Sequence, residues 1–241
     1  MKQVFLSISL LLLSTAVIFA QKQINDANAE TREAKNFSTI SVSNAFDVYL
    51  TQGDEEAVAV SASEQKFKEK IKVEVKDGVL KISYDDGGKF WQKLTKNMKL
   101  RAYITFKNVD KIAASGGCDI HLQGKLTADD LSINLSGASD WKSGELKTKK
   151  LSVDISGASD MTVTGSSTDL KIEASGASSF KSWDFATDNC RVQASGASSI
   201  SFTVNKELNA HASGASSIHY KGEGVIKEIR TSGASNISKK S

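Results

Sequence analysis

The stretch "LSINLSGASD", Leu131 to Asp140, returns as "LSVDISGASD", Leu151 to Asp160, and in looser form as "LKIEASGASS", "CRVQASGASS" and "LNAHASGASS". Aligned on the glycine of each SG pair, the copies fall at Gly116, Gly137, Gly157, Gly176, Gly196, Gly214 and Gly233, at intervals of 21, 20, 19, 20, 18 and 19 residues. A near-constant period of this length marks an array whose units stack on and cover one another. Each unit must then present matching faces to both neighbours.

The columns of the alignment say which side chains do the covering. Four residues before the glycines stand Ile112, Ile133, Val153, Ile172, Val192, Ala210 and Ile229, and two before stand Ala114, Leu135, Ile155, Ala174, Ala194, Ala212 and Thr231. Four after stand Ile120, Trp141, Met161, Phe180, Ile200, Ile218 and Ile237. Between the apolar columns, three before the glycine, runs a polar one of Asn134, Asp154, Glu173, Gln193, His211 and Arg230. This alternation with period two is that of strands with one buried face; the three- and four-residue steps of an amphipathic helix are missing. The chain is therefore expected to be all-β, a parallel β-solenoid with about 20 residues per coil that rises by one strand spacing, about 4.8 Å, each time round. Weaker turn signals at Gly124, Gly144, Gly165, Asn205 and Gly222/Gly224 give each coil two strands and two turns. In "SGAS", glycine supplies backbone angles that other residues avoid, while the small Ser and Ala stack at a tight corner and Ser can bond the turn's own backbone.

An earlier copy is disguised in "ISVSNAFDVYL", where Asn44 replaces glycine at the corner, Asn being the next most tolerant of the left-handed conformation. From there to Leu100 the regularity fades. "VAVSA", "IKVEVKDGVLKISYDD" and "MKLRAYITFKNVDKIAA" still read as strands, with "KDG" a turn, "SEQKFKEKI" a short helix or excursion, and "DDGGKFWQKLTKN" an exposed loop carrying Phe90 and Trp91. The expected organisation is a signal peptide at 1–20, a flexible leader at 21–36 and a single solenoid domain at 37–241. Within that domain, 37–110 are irregular coils with insertions and 111–238 the regular SGAS repeats.

The signal peptide rests on "MKQVFLSISLLLLSTAVIFAQ", with one lysine, an uncharged apolar run and a small residue before a polar one. Export is the expectation, to the periplasm, the outer membrane or the outside. After removal of this segment nothing else is long and apolar enough to span a bilayer. Proline is absent altogether, as suits strands paired on both sides, where a residue without an N–H has no place. The 31 basic and 28 acidic residues are spread along the chain, and without a basic cluster interleaved with aromatics nucleic acid is not an expected partner.

"SVSNAFDVYLTQGDEEAVAVSA", "VEVKDGVLKISY" and the serial SGAS turns together resemble the head GIN domain family, the putative autotransporter adhesins, over about Phe37 to Ile237. The resemblance implies a right-handed β-solenoid with a role in cell adhesion.

Individual residues carry competing readings. Cys190 falls in line with Leu131, Leu151, Leu170 and Leu208 and reads as a small buried hydrophobe. Cys118 lies more than three coils away, about 15 Å along the axis, beyond the roughly 7 Å between Cα atoms that a disulfide tolerates. His121 and His219 share an outward column five coils apart, about 24 Å, too far for one zinc site, and His211 faces out of another. Asp154 and Glu173 are neighbours on successive coils, about 4.8 Å apart at the backbone. That spacing is close to the one between paired glycosidase carboxylates, although their flanks in the column, Asn134 and Gln193, suggest no cleft. Asp119, Asp140 and Asp160 form a second ladder beside the corners. It suits turn aspartates bonding local amides better than a calcium site. "SGAS" is no nucleophile motif, since neither a histidine nor an acid recurs with it.

The expected function is thus a non-catalytic binding module for glycan or protein, without cofactor, metal or catalytic residues; the ligand-binding residues are not assigned. A carbohydrate-active enzyme working on one face is the alternative, and a structural or assembly subunit a further one. The last coil, "EIRTSGASNIS", is covered only by Lys239 and Lys240, and an open strand edge invites pairing, so an end-to-end homodimer is also expected.

Overall fold

The computed structural model describes residues 26–85, 87 and 98–241. The expected signal peptide, and Phe90 and Trp91 of the expected exposed loop, lie outside the described residues. The irregular part comprises β1 (Glu30–Arg32), β2 (Thr39–Asn44), β3 (Phe46–Gln52), β4 (Ala57–Ala62), helix α1 (Gln65–Lys68), β5 (Ile71–Lys76), β6 (Val79–Tyr84), β7 (Leu100–Phe106) and β8 (Lys111–Gly116). The regular part comprises β9 (Asp119–Leu135), β10 (Asp140–Ile155), β11 (Asp160–Met161), β12 (Thr164–Ala174), β13 (Ser179–Ala194), β14 (Ser199–Ala212), β15 (Ser217–Lys221), β16 (Val225–Thr231) and β17 (Asn236–Lys239). They wind into a parallel β-solenoid of about 6 turns.

The SG corners stand in single file. Ala177 N–H donates to the Gly157 carbonyl at 2.7 Å, Ala197 to Gly176 at 2.7 Å and Ala215 to Gly196 at 2.8 Å, so each corner hangs on the one before. Glycine is required twice over. Gly176 and Gly196 have φ of 76° and 70°, which strains any side chain. A Cβ on Gly176 would also lie 2.5 Å from the carbonyl oxygen of Gly157, and one on Gly196 2.6 Å from that of Gly176. The last serine of each motif closes its own turn: Ser178, Ser198 and Ser216 each donate to the carbonyl three residues back, at 2.8 Å. Cys118 occupies this place in the variant corner Ser115-Gly116-Gly117-Cys118, its Sγ lying 3.4 Å from the Ser115 carbonyl.

Asn44 has φ 85° and pairs in register with Gly116. Its Oδ1 accepts from the Tyr84 amide at 3.0 Å. Among the described residues no corner stacks beneath it, which leaves this one position room for a side chain.

The predicted columns face inward. Ile133, Ile172, Val192 and Ala210 are fully buried, as are Ile120, Met161, Phe180, Ile200 and Ile218. Between corners the ladder scarcely stops: β9 and β10 pair from Asp119/Asp140 to Leu135/Ile155, with shifts only around Ser143. The weaker turns at Gly124 and Gly144 are bends within these long strands, with φ of 83° and 118°.

The N-terminal coils are built differently. β6 lies parallel to β2 and folds back through Asp77–Gly78 onto the antiparallel β5. On the other side of the corner β7 lies parallel to β3, and β4 joins β7 antiparallel. The expected flexible leader is corrected from residue 26 onward. β1 pairs antiparallel with β4, Ala34 is buried, and Asp26 bonds Arg101 at 3.2 Å and the Tyr103 hydroxyl at 2.9 Å. The polar composition that suggested a loose segment instead supplies partners for charged groups on β7.

The last coil departs from the columns in the opposite sense. Ile226 stacks on Leu208 and Ile229 on Ala210, yet they are 45% and 42% exposed. They are core residues by position and surface residues by circumstance.

Candidate functional site

Two grooves run across the coils, each floored by one of the stacked columns. The first, about 630 Å³, follows the polar column read from the sequence. Asp154 pairs with Glu173, Glu173 with Gln193, Gln193 with His211 and His211 with Arg230. Strand register alone therefore brings these side chains into one row, as the sequence predicts. Partners along the row temper their charges: Lys171 lies 2.8 Å from Glu173, and Glu228 lies 3.4 Å from His211 and 2.5 Å from Arg230. Asp154 and Glu173 are adjacent, with Lys171 on the second carboxylate.

The second groove, about 800 Å³, lies farther from the corners. Its rim is the row Asp130, Lys150, Asp169, Asn189 and Glu207, aligned in register. Leu131, Leu151, Leu170 and Cys190 form the apolar floor, and Lys171 and Arg191 the other side. Lys150 stands between Asp130 and Asp169 on the rim, and Asn189 donates to Asp169 at 2.9 Å. Among the described residues no ion pair occupies Lys150 or Arg191. Sequence reading missed this row, although the alignment held it seven places before the glycines from Gly137 to Gly214. Its mixed charges make no pattern until the strands stack.

The aspartate ladder is longer than expected, because Asp47 joins Asp119 and Asp140 in register. Lys142 sits 3.3 Å from Asp119 and 3.1 Å from Asp140. Its ammonium is raised above its ordinary value chiefly by the bond to Asp140. Asp160 N–H donates to Asp140 at 3.2 Å, and Ser179 bonds Asp160. These are local amide, hydroxyl and lysine partners, and no group of three His, Cys, Asp or Glu among the described residues is placed to hold a metal ion.

The histidines stay apart. His121 stacks on Tyr49, with centroids 5.1 Å apart, and Tyr49 stacks on Tyr103 at 5.1 Å. Tyr49 stands five after Asn44, as His121 stands five after Gly116, a coincidence of column that sequence reading passed over. Burial, reinforced by the bond to Asp26, pushes the Tyr103 phenol up. His219 meets Ser238 at 2.9 Å, and burial, with Lys240 nearby, lowers its basicity. Cys118 and Cys190 are both free and buried; burial raises the Cys118 thiol to about 11 and that of Cys190 well above its ordinary value.

No helix among the described residues is long and apolar enough to cross a membrane. The sequence matches the family described as "Putative auto-transporter adhesin, head GIN domain" over residues 36–224. No curated protein matches it. Among solved structures, a putative adhesin from Bacteroides fragilis NCTC 9343 is similar with a TM-score of 0.77 at 23% identity, over 88% of this chain and 96% of the other. A putative adhesin from Parabacteroides merdae ATCC 43184 has a TM-score of 0.67 at 15% identity, over 88% and 95%. A putative lipid binding protein from Parabacteroides distasonis ATCC 8503 has a TM-score of 0.63 at 20% identity, over 88% and 98%. Stacked SG corners, the β2–β3 passage through Asn44 and a match over most of the chain place this protein in the head GIN domain family.

Proposed function

We propose that this chain is an exported, non-catalytic adhesin-type module that binds a glycan or a protein along the groove edged by Asp130, Lys150 and Asp169. The observation that carries this reading is the form of that groove: a long trough crossing several coils over a buried apolar row, edged by charges of both signs and by two cations, Lys150 and Arg191, without ion pairs among the described residues. Such a surface suits an extended ligand laid along the stack. The adhesin family supports a binding role and a place outside the cytoplasm. The grooves are open rows on a rigid wall, and an extended polymer would be gripped at many weak points.

The test is binding of the purified protein to an array of cell-surface glycans and to a set of extracellular proteins. Lys150→Glu with Arg191→Glu should abolish whatever binding is found; retention of full binding by a folded double variant would remove this groove from consideration. Protease accessibility on intact cells then decides between periplasm and cell surface.

One observation favours the carbohydrate-active reading, namely the adjacency of Asp154 and Glu173 within the other groove. Glycan depolymerisation that disappears in Asp154→Asn and Glu173→Gln would replace the binding module with an enzyme. The assembly-subunit reading would gain if no ligand bound and the protein were recovered in a larger complex.

A further inference from the structure

We propose that the C-terminal end of the solenoid pairs with the same end of a second copy, β16 against β16 in antiparallel register, making a closed two-fold dimer. The apolar residues here continue the core. Ile226 extends the row of Leu208, and Ile229 the row of Ala210, so the end is an interior cut open. Together with Val225 they make three of the four large hydrophobics that are exposed among the described residues.

A second copy fits because of the bulge. A regular strand alternates sides, so it cannot oppose two adjacent residues to each other across a two-fold axis. Between Leu208/Ile226 and Asn209/Glu228 the register slips by one residue, and Lys227 and Glu228 both lie on the outer side, within 3.3 Å of Glu207 and 3.4 Å of His211. The order from Ile226 to Ile229 is then in, out, out, in. Turned about its midpoint, this segment sets Lys227 against the other copy's Glu228 and Ile226 against the other copy's Ile229. Opposite charges meet outside while apolar side chains meet inside, where cross-strand pairs stabilise a sheet. Being isologous, the contact uses itself up and stops at two copies.

Among the described residues the opposite end offers no such open row. Its edges, β5 and β1, are antiparallel to their neighbours, β5 presents Lys72, Glu74 and Lys76, and Phe67 of α1 packs on the core. Leu80 and Ile82 of β6 are already fully buried there, whereas Ile226 and Ile229 are not, so head-to-tail growth is disfavoured.

Sedimentation velocity over a concentration series tests the arrangement. The protein should dimerise, and Lys227→Glu or Glu228→Lys alone should each weaken association about tenfold or more by opposing like charges. Mixing the two single variants should restore a dimer, since each then supplies what the other lacks, and the double swap within one chain should restore it too. Lys227 and Glu228 both reach solvent in the single copy, so circular dichroism should show an intact fold in every variant. A monomer at every concentration, a dimer indifferent to both reversals, or growth into longer species would overturn the proposal.

Discussion

At its N-terminal end the solenoid stops against antiparallel strands, a short helix and the ordered segment from Asp26; at its C-terminal end the last described coil leaves Ile226 and Ile229 in the open. Both ends begin from the same stacked rows. The difference lies in whether another layer of chain covers those rows. β4 is buried on both sides, because such a layer lies over it, whereas β16 has no buried residue. A repeat cannot finish itself: its apolar columns carry on to the edge, and either sequence outside the repeat or a second copy must close them.

Substitutions can break or sharpen this contrast. Phe180→Ala, in the middle of the stack, should cost about 3–5 kcal/mol, measured by urea unfolding. Gly176→Ala should follow at about 3 kcal/mol, combining left-handed strain with displacement of the Gly157 carbonyl; a loss below a third of that would mean the corners are looser than drawn. Asp26→Asn should cost about 1–2 kcal/mol by weakening charged hydrogen bonds at the closed end. Burial opposes the charge of Asp26, but the nearby Ser61 hydroxyl and bonds from Tyr103, the Asn28 amide and Arg101 outweigh it and hold the carboxyl below its ordinary value. Its contribution is therefore present above the unfolded carboxylate's pKa and lost as pH falls through the lowered folded one. The gap between wild type and variant should close on acidification, and a gap independent of pH would discard this bond network. Asn44→Gly should change stability by less than about 1 kcal/mol, relief of a positive φ offsetting the lost bond to Tyr84. Smallest of all, Ile229→Ala in the monomer should stay within about 0.5 kcal/mol; a core-sized loss would show that the open end is covered.

The coil, its inward columns and the Asp154 to Arg230 row were legible because each sits at a fixed distance from the SG glycine and next to an apolar column, and stacking turns period into proximity. Asn44 was legible for the same reason. The antiparallel β4 and the stretch from Asp26 were not, since β4 pairs with β7 outside the repeat's register and Asp26 is placed by long-range bonds such as that to Tyr103. The rim from Asp130 to Glu207 was hidden because its column is interrupted: seven places before the first and last glycines stand Val109 and Ile226 instead of a polar residue, and only the strand register unites the five between them. The uncovered Ile229 looked like any other member of its column, because a column cannot announce which of its members comes last.

The two thiols give the molecule a pair of built-in timers. Cys118 lies in the corner file near the irregular coils, and Cys190 lies in the leucine row well along the regular ones. Both are shielded and weakly acidic, so an alkylating reagent reaches each only when its own stretch of wall comes apart. Separate labelling rates would reveal whether the wall breathes segment by segment or gives way all at once.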